Sequence, residues 1–271
     1  MLKNALHPKL SQFIQLVGIL LTLGMVFLAG LSLYSSHVYI ARPIQRIMAV
    51  GDSITEGVQG QVSYRQELER LLTRSGCSFE MVGSEFGSQD IVPSTFVSRH
   101  EGYSGHRADH INLGNTKSKK NRNEGIVAMM GFSPDVVLLH VGTNDITRNE
   151  PVNTIVNDIE DIVENIRNIN PDTLVFVANV IPRFVNGVVD PTTDALSDAI
   201  EASFNSPDTS KDDDDLGGFN NVFIVDVRSG YVRDNSLADG RHPNNSGESK
   251  IANAFFNALE LANACDANRS R

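Results

Sequence analysis

Short apolar runs rich in β-branched residues alternate with longer amphipathic stretches from about residue 45 onward, and this alternation constrains the fold most tightly. The strand-like runs occupy residues 47–50, 79–82, 136–141, 174–180 and 222–227. The helical patterns occupy residues 64–74, 154–169, 193–204 and 246–264. Most strand-like runs are apolar on both faces, which is typical of a parallel sheet covered by helices on either side. The pattern therefore predicts an α/β fold, a three-layer α/β/α sandwich around a central, mainly parallel sheet.

The N-terminal stretch predicts a membrane helix. Residues 13–34 carry no charge and follow Lys3 and Lys9. They exceed the roughly 20 apolar residues that span a bilayer, and they are longer than the apolar region of about 7 to 15 residues in cleavable signal peptides. We therefore expect an uncleaved anchor rather than a removed signal, with the following domain outside the cytoplasm, or secreted if the segment is cleaved.

The predicted organisation follows from these segments. It comprises an anchor or signal at residues 1–36, a linker at 37–44, one domain at 45–265 and a tail at 266–271. Within the domain, residues 206–221 are polar and contain four consecutive aspartates. Because they lack the spaced ligands and closing glutamate of an EF-hand, they predict a solvated insertion rather than a calcium site.

Charge and cysteine content exclude several classes of partner. The chain has 33 acidic and 23 basic residues, a net charge of -10, which disfavours nucleic acid and anionic surfaces. It has no glycine-rich phosphate loop of the GxGxxG or GxxxxGK type, so we expect no nucleotide. Cys77 and Cys265 form no CxxC pair and allow one disulfide or none.

Residues suited to acid, base and nucleophilic chemistry cluster in four short stretches. GDSITEG at residues 51–57 places Ser53 between a strand and a helix, and EGYSGHRADH at 101–110 supplies Gly105. VGTND at 141–145 supplies Asn144, and the stretch beginning LADGRHP at Leu237 holds Asp239 and His242. Each stretch also has a purely structural interpretation, because Ser and Asp cap helices and Asn, Asp and Gly favour turns.

Taken together, the four stretches supply every part that ester hydrolysis by a serine nucleophile requires. Ser53 would attack, His242 would accept and return the proton, and Asp239 would hold the other ring nitrogen. The backbone N–H groups of Ser53 and Gly105, with the side-chain amide of Asn144, would stabilise the oxyanion. We expect Ser53 to cap its helix as well as to act as the nucleophile.

The neighbouring polar residues are expected to line the substrate cleft, and these are Asp52, Tyr103 and His106. His106 and His110 are four residues apart, but Arg107 stands where the HExxH zinc motif has its glutamate. We therefore expect no metal site.

The ordered blocks Gly51-Asp52-Ser53, Gly105, Gly142-Thr143-Asn144-Asp145 and Asp239-Gly240-Arg241-His242-Pro243 resemble the SGNH, or GDSL-like, hydrolase superfamily. The resemblance covers roughly residues 45–263. It implies a flavodoxin-like three-layer fold, no metal, no organic cofactor and the chain order Ser, Asp, His. The GxSxG elbow of the α/β-hydrolases is absent, since Thr55 stands where its second glycine would be.

The stretch EGYSGHRADHI further resembles carbohydrate esterases of the acetylxylan esterase type. The resemblance implies a serine esterase that removes small acyl groups, most often acetyl, from an acylated carbohydrate or another small ester. Two alternatives stay open. One is a lipid-directed esterase, lysophospholipase or thioesterase of the same fold, and the other is a carbohydrate-binding module without activity on a hydrolase scaffold.

Overall fold

The computed structural model describes residues 44–58, 63–87, 98–115, 117, 122–205, 221–237 and 239–265. The predicted anchor, most of the acidic insertion and the tail lie outside these ranges. In the described ranges, no helix combines the length and apolar character needed to cross a membrane. The predicted segment at residues 13–34 lies outside these ranges.

The described residues form strands and helices in near-regular alternation. The strands are β1 Gln45–Gly51, β2 Phe79–Met81, β3 Glu85–Phe86, β4 Arg99–Gly102, β5 Val136–His140, β6 Leu174–Ala178, β7 Phe184–Val185, β8 Val188–Val189 and β9 Val222–Val225. The α-helices are α1 Ser53–Glu56, α2 Tyr64–Ser75, α3 Ala108–Leu113, α4 Ile126–Met129, α5 Thr143–Thr147, α6 Val152–Ile169, α7 Pro191–Asn205 and α8 Asn245–Leu261. Short 3-10 helices lie at Met130–Phe132 and Arg233–Asn235.

The main sheet has seven strands among the described residues, with β3, β4, β1, β5, β6 and β9 following one another across it. The pairs within this order are parallel except β3 with β4, and β2 pairs in parallel with the first half of β1. Because β1 pairs with β4 and β5 at its carboxyl end, the loop after β1 lies where ligands bind in open α/β sheets. The sheet confirms the predicted mainly parallel α/β architecture.

Alternate strand residues face two separate apolar cores, which makes the arrangement three-layered. Met48 and Val50 of β1 pack with α3, α6 and α7 on one face, while Ile47 and Ala49 pack with α2 and α8 on the other. Successive side chains of a strand point to opposite faces, so a strand covered on both sides must be apolar throughout. This is the physical origin of the continuous apolar runs in the sequence.

Several elements differ from those predicted. The strand β4 was missed because it reads RHEG, with a buried histidine and a buried glutamate in place of apolar residues. The β7–β8 hairpin was also missed because each of its strands has only two residues. The helix α6 begins at Val152 rather than residue 154, since Pro151 fits the position before a first turn.

The two cysteines form a disulfide between Cys77 and Cys265, which resolves the alternative that the sequence left open. Cys77 follows α2 and Cys265 follows α8, so the bond joins the carboxyl ends of two helices that pack side by side. The ring of Tyr64 stacks on that of Phe255 across the same interface, with their centroids 5.3 Å apart.

Candidate active site

The serine of the first block lies at the start of a very short helix directly after β1. Asp52 is the residue that caps this helix, and its Oδ1 accepts the backbone N–H of Ile54 at 2.9 Å. Ser53 is the first residue of α1 and its side chain does not cap it, which corrects our expectation. Its hydroxyl is therefore available for another partner.

That partner is His242, whose Nε2 lies 2.8 Å from Oγ of Ser53. On the other side of the ring, Nδ1 of His242 lies 2.6 Å from Oδ2 of Asp239. Oδ1 of Asp239 accepts the backbone N–H groups of Arg241 at 2.9 Å and His242 at 3.1 Å. Ser53 thus joins His242, which lies 189 positions further along the chain, and Asp239 in one continuous chain of hydrogen bonds.

The surroundings of Asp239 favour its ionised form. Partial burial alone would raise its pKa, but the backbone N–H groups of Arg241 and His242, together with the His242 ring, lower it below the usual value. An ionised carboxylate accepts the Nδ1 proton of His242 and leaves Nε2 as the acceptor facing Ser53.

Two glycines allow the backbone of α1 to approach the sheet closely. A Cβ on Gly51 would lie 2.2 Å from the carbonyl oxygen of His140 on β5, and one on Gly102 would lie 2.5 Å from the backbone nitrogen of Glu56. Both distances are far shorter than a carbon atom tolerates. The position of Ser53 therefore depends on the absence of a side chain at Gly51 of β1 and at Gly102 of β4.

A fully buried arginine, which sequence analysis missed, holds the other end of this helix. Nε of Arg65 donates to the carbonyl of Thr55 at 2.8 Å, and its Nη2 donates to that of Glu56 at 3.2 Å. The guanidinium also donates to the carbonyls of Ser98 and Gly87. Burial lowers its pKa to about 10, which still leaves it charged at neutral pH. In the sequence, SYRQELER shows only an ordinary amphipathic helix.

The predicted oxyanion donors differ in their surroundings. Gly105 is exposed in a turn, with a φ of 79°. The backbone N–H of Ser53 is in the first turn of α1, where no intrahelical acceptor exists. The side chain of Asn144 is engaged, because its Nδ2 donates to Oδ2 of Asp52 at 3.2 Å and to the carbonyl of His106 at 2.9 Å.

Two buried carboxyl groups lie behind these donors. Burial raises the pKa of Asp52 to about 7, and the nearby charge of Asp145 adds to this shift. Burial likewise raises the pKa of Asp145 to about 6, although its oxygens accept the N–H of Ala108 at the start of α3. Both groups titrate much closer to neutrality than exposed aspartates do.

The residues expected to line the cleft are nearly as buried as the serine. Asp52, Tyr103 and His106 are at most 5 % exposed, and Ser53 is 6 % exposed. The hydroxyl of Tyr103 bonds to Glu101, and Nε2 of His106 lies 3.2 Å from the side-chain amide nitrogen of Asn115. These bonds hold Tyr103 and His106 in the loop that follows β4, and their contact with substrate stays a prediction.

No group of three or more His, Cys, Asp or Glu side chains in the described ranges is arranged to bind a metal ion. His106 and His110 contact each other edge to face, with ring centroids 5.3 Å apart.

Comparison with known proteins places this geometry in a family. The family model described as "GDSL-like Lipase/Acylhydrolase family" matches residues 49–250. Over 227 residues the chain is 26% identical to a "Multidomain esterase" of Ruminococcus flavefaciens, covering 79% of this chain but only 28% of that protein. The chain thus spans about a quarter of the length of that relative.

Several solved structures are also similar to this chain. A carbohydrate esterase family 3 from Talaromyces cellulolyticus has 27% identity and a TM-score of 0.64, covering 81% of this chain and 98% of that one. A Clostridium thermocellum family 3 carbohydrate esterase has 28% identity and a TM-score of 0.62, covering 83% and 100%. A mutant acetyl esterase, solved with acetate ion, has 26% identity and a TM-score of 0.64, covering 81% and 98%. The chain belongs to the GDSL-like lipase/acylhydrolase family, a family of ester-bond hydrolases.

Proposed function

We propose that the protein is a serine esterase that removes acetyl or similarly small acyl groups from a carbohydrate. The observation that carries the proposal is the hydrogen-bonded chain from Ser53 through His242 to Asp239, with distances of 2.8 and 2.6 Å. In this proposal His242 takes the proton from Ser53 as its Oγ attacks the ester carbonyl. The same ring then protonates the departing sugar oxygen, and Asp239 stabilises the imidazolium between these steps.

Stabilisation of the tetrahedral intermediate would come from Ser53, Gly105 and Asn144. The Asn144 amide donates to two acceptors. Among the described residues, the backbone N–H groups of Ser53 and Gly105 have no such acceptor. We propose that Asn144 exchanges its longer bond, the one to Asp52, for the oxyanion. The raised pKa of Asp52 supports this exchange, because a neutral carboxyl group is a weaker acceptor than a carboxylate.

The small acyl group and the carbohydrate are inferred from relatives. Solved relatives with 26 to 28% identity are named as an acetyl esterase and as family 3 carbohydrate esterases. Three lipases that share the fold have 15 to 17% identity, so their likeness bears on the fold alone.

Hydrolysis of p-nitrophenyl esters from acetate to long acyl chains tests the proposal, with Ser53→Ala as the control. We expect turnover of the shortest esters only, and its loss in the variant. A preference for long chains would replace the carbohydrate esterase with a lipid-directed one. Binding of an acetylated glycan without turnover of any ester would support a binding module.

We also propose a location outside the cytoplasm, with residues 1–36 as the membrane anchor. The uncharged stretch at residues 13–34 supports the anchor. The Cys77–Cys265 disulfide supports an oxidising compartment, because such bonds rarely persist in the cytosol. Fractionation of cells that make the full chain, followed by protease treatment of intact cells, tests both parts.

A further inference from the structure

A cavity of about 450 Å³ adjoins the acid end of the proposed triad, and the mechanism above does not use it. Its walls come from the β7–β8 hairpin and its turn, from Thr147 at the end of α5, and from the loop that carries Asp239. The volume is within the range of small-molecule sites.

Three arginines line this cavity, although the protein as a whole carries a net charge of -10. They are Arg183, Arg233 and Arg241, and the acidic residue among the lining groups is Asp239. The carboxylate of Asp239, which accepts hydrogen bonds from His242 and from two backbone N–H groups, offsets one of these three positive charges.

The three guanidinium groups have different partners. Arg183 is neutralised by Asp190, with Nη2 and Oδ2 2.7 Å apart. Arg233 lies over the ring of Phe184 at 5.9 Å and donates to the carbonyl of Ser236. Arg241 forms no side-chain hydrogen bond or ion pair with any described residue. A guanidinium with no partner among the described residues, in a concave site, is suited to a carboxylate, which it binds with two parallel hydrogen bonds.

A hydrogen bond connects the wall of the cavity to a loop of the proposed active site. The backbone N–H of Phe184, at the base of the hairpin, donates to the carbonyl of Gly240 at 2.7 Å. Gly240 lies between Asp239 and Arg241 in the sequence. This hydrogen bond therefore joins the hairpin to the loop that carries Asp239 and His242. The positive charge of Arg241 also lowers the pKa of Asp52, which directly precedes Ser53. A group bound by Arg241 would therefore lie beside the loop that carries the acid and the base of the proposed triad.

We infer that this cavity is a subsite for a carboxylate, and that the preferred substrates are acylated sugars carrying a uronic acid. The inference rests on the proposed function, since it specifies the sugar whose ester is hydrolysed. The three arginines and the carboxylates of Asp190 and Asp239 together carry one net positive charge, which favours a monoanion.

The test compares two matched substrates, an acetylated glucuronoside and the acetylated glucuronamide, which differ only in charge. We expect kcat/KM for the uronate to exceed that for the amide by about tenfold, mostly through KM, and the ratio to fall as salt is added. Arg241→Gln should bring the ratio close to one. Arg241→Lys should keep part of it, because it retains the charge but loses the planar fork.

The control variant is Arg122→Gln, which removes an equal charge at a 60% exposed side chain that does not line the cavity. It should leave the uronate-to-amide ratio as it is in the parent protein. Equal turnover of the two sugars by the parent, or an unchanged ratio in Arg241→Gln, would overturn the inference while leaving the esterase intact. Hydrolysis of p-nitrophenyl acetate without turnover of either sugar would also overturn it. Failure on p-nitrophenyl acetate as well would reject the proposed function itself.

Discussion

Removal of the Cys77–Cys265 disulfide should destabilise the fold without changing the chemistry. The bond closes a loop with a sequence separation of 188 residues. In the chain-entropy model a loop of about 100 residues already corresponds to roughly 4.7 kcal/mol, and loss of native disulfides typically costs about 2–5 kcal/mol. We therefore expect Cys77→Ala/Cys265→Ala to lose about 4 kcal/mol of unfolding free energy.

The expected fall in Tm follows from the size of the domain. Each kcal/mol shifts Tm by about 2–4 °C in domains of this size, so the double variant should melt about 10 °C below the parent. Thermal unfolding followed by circular dichroism measures this difference. A reductant should lower the Tm of the parent by a similar amount and leave that of the double variant unchanged.

Activity at low temperature should survive the loss of the disulfide. The bond joins the carboxyl ends of α2 and α8, whereas Tyr64 and Asn245 begin these helices near the site. Initial rates measured well below both transitions should therefore match. Two free thiols found by alkylation of the unreduced protein, or equal Tm values for parent and variant, would contradict this prediction.

Four further predictions concern the site. Asn144→Ala should lower kcat by about 10² to 10³ if its amide reaches the oxyanion, and a change confined to KM would reject that role. Gly51→Ala should abolish most activity and lower Tm, because its Cβ would meet the carbonyl of His140 at 2.2 Å; an unaffected rate would contradict this packing. Arg65→Lys should reduce stability measured in urea, since one ammonium cannot replace donors to several carbonyls. The pKa of Asp52 is about 7 in the folded protein, compared with an ordinary value of 3.8. Its protonated carboxyl group therefore stabilises the fold fully below about pH 4, and this stabilisation is lost as the pH rises to 7. Relative to Asp52→Asn, the parent should lose about 4 kcal/mol between pH 4 and pH 8, and parallel stability curves would disprove the shift.

Sequence patterns predicted the fold where apolar burial alone decides structure. The runs at residues 136–141 and 174–180 became β5 and β6 because both of their faces are covered. The strand β4 escaped prediction because its buried His100 and Glu101 are satisfied by specific polar partners, which no periodicity reveals. Short polar strands depend on tertiary contacts and carry little local signal.

The candidate site was predictable to a different extent. The sequence predicted Ser53, Asp239 and His242 as a group, and the structure brings them together. The hydrogen bonds of Asn144 and the buried Arg65 could not be predicted, because both depend on which backbone carbonyls lie nearby. Every residue carries a backbone carbonyl, so the sequence does not show which of them will lie near a given side chain.

In the proposed mechanism Ser53, activated by His242, is the nucleophile. Reaction with diethyl p-nitrophenyl phosphate followed by peptide mass spectrometry tests it directly, because this reagent phosphorylates activated serine hydroxyls. We expect one diethylphosphoryl group per chain, located on Ser53, with loss of esterase activity in step with labelling. Ser53→Ala should remain unlabelled and inactive, and His242→Ala should label slowly. A stoichiometric label on another residue, or full esterase activity in Ser53→Ala, would contradict the mechanism.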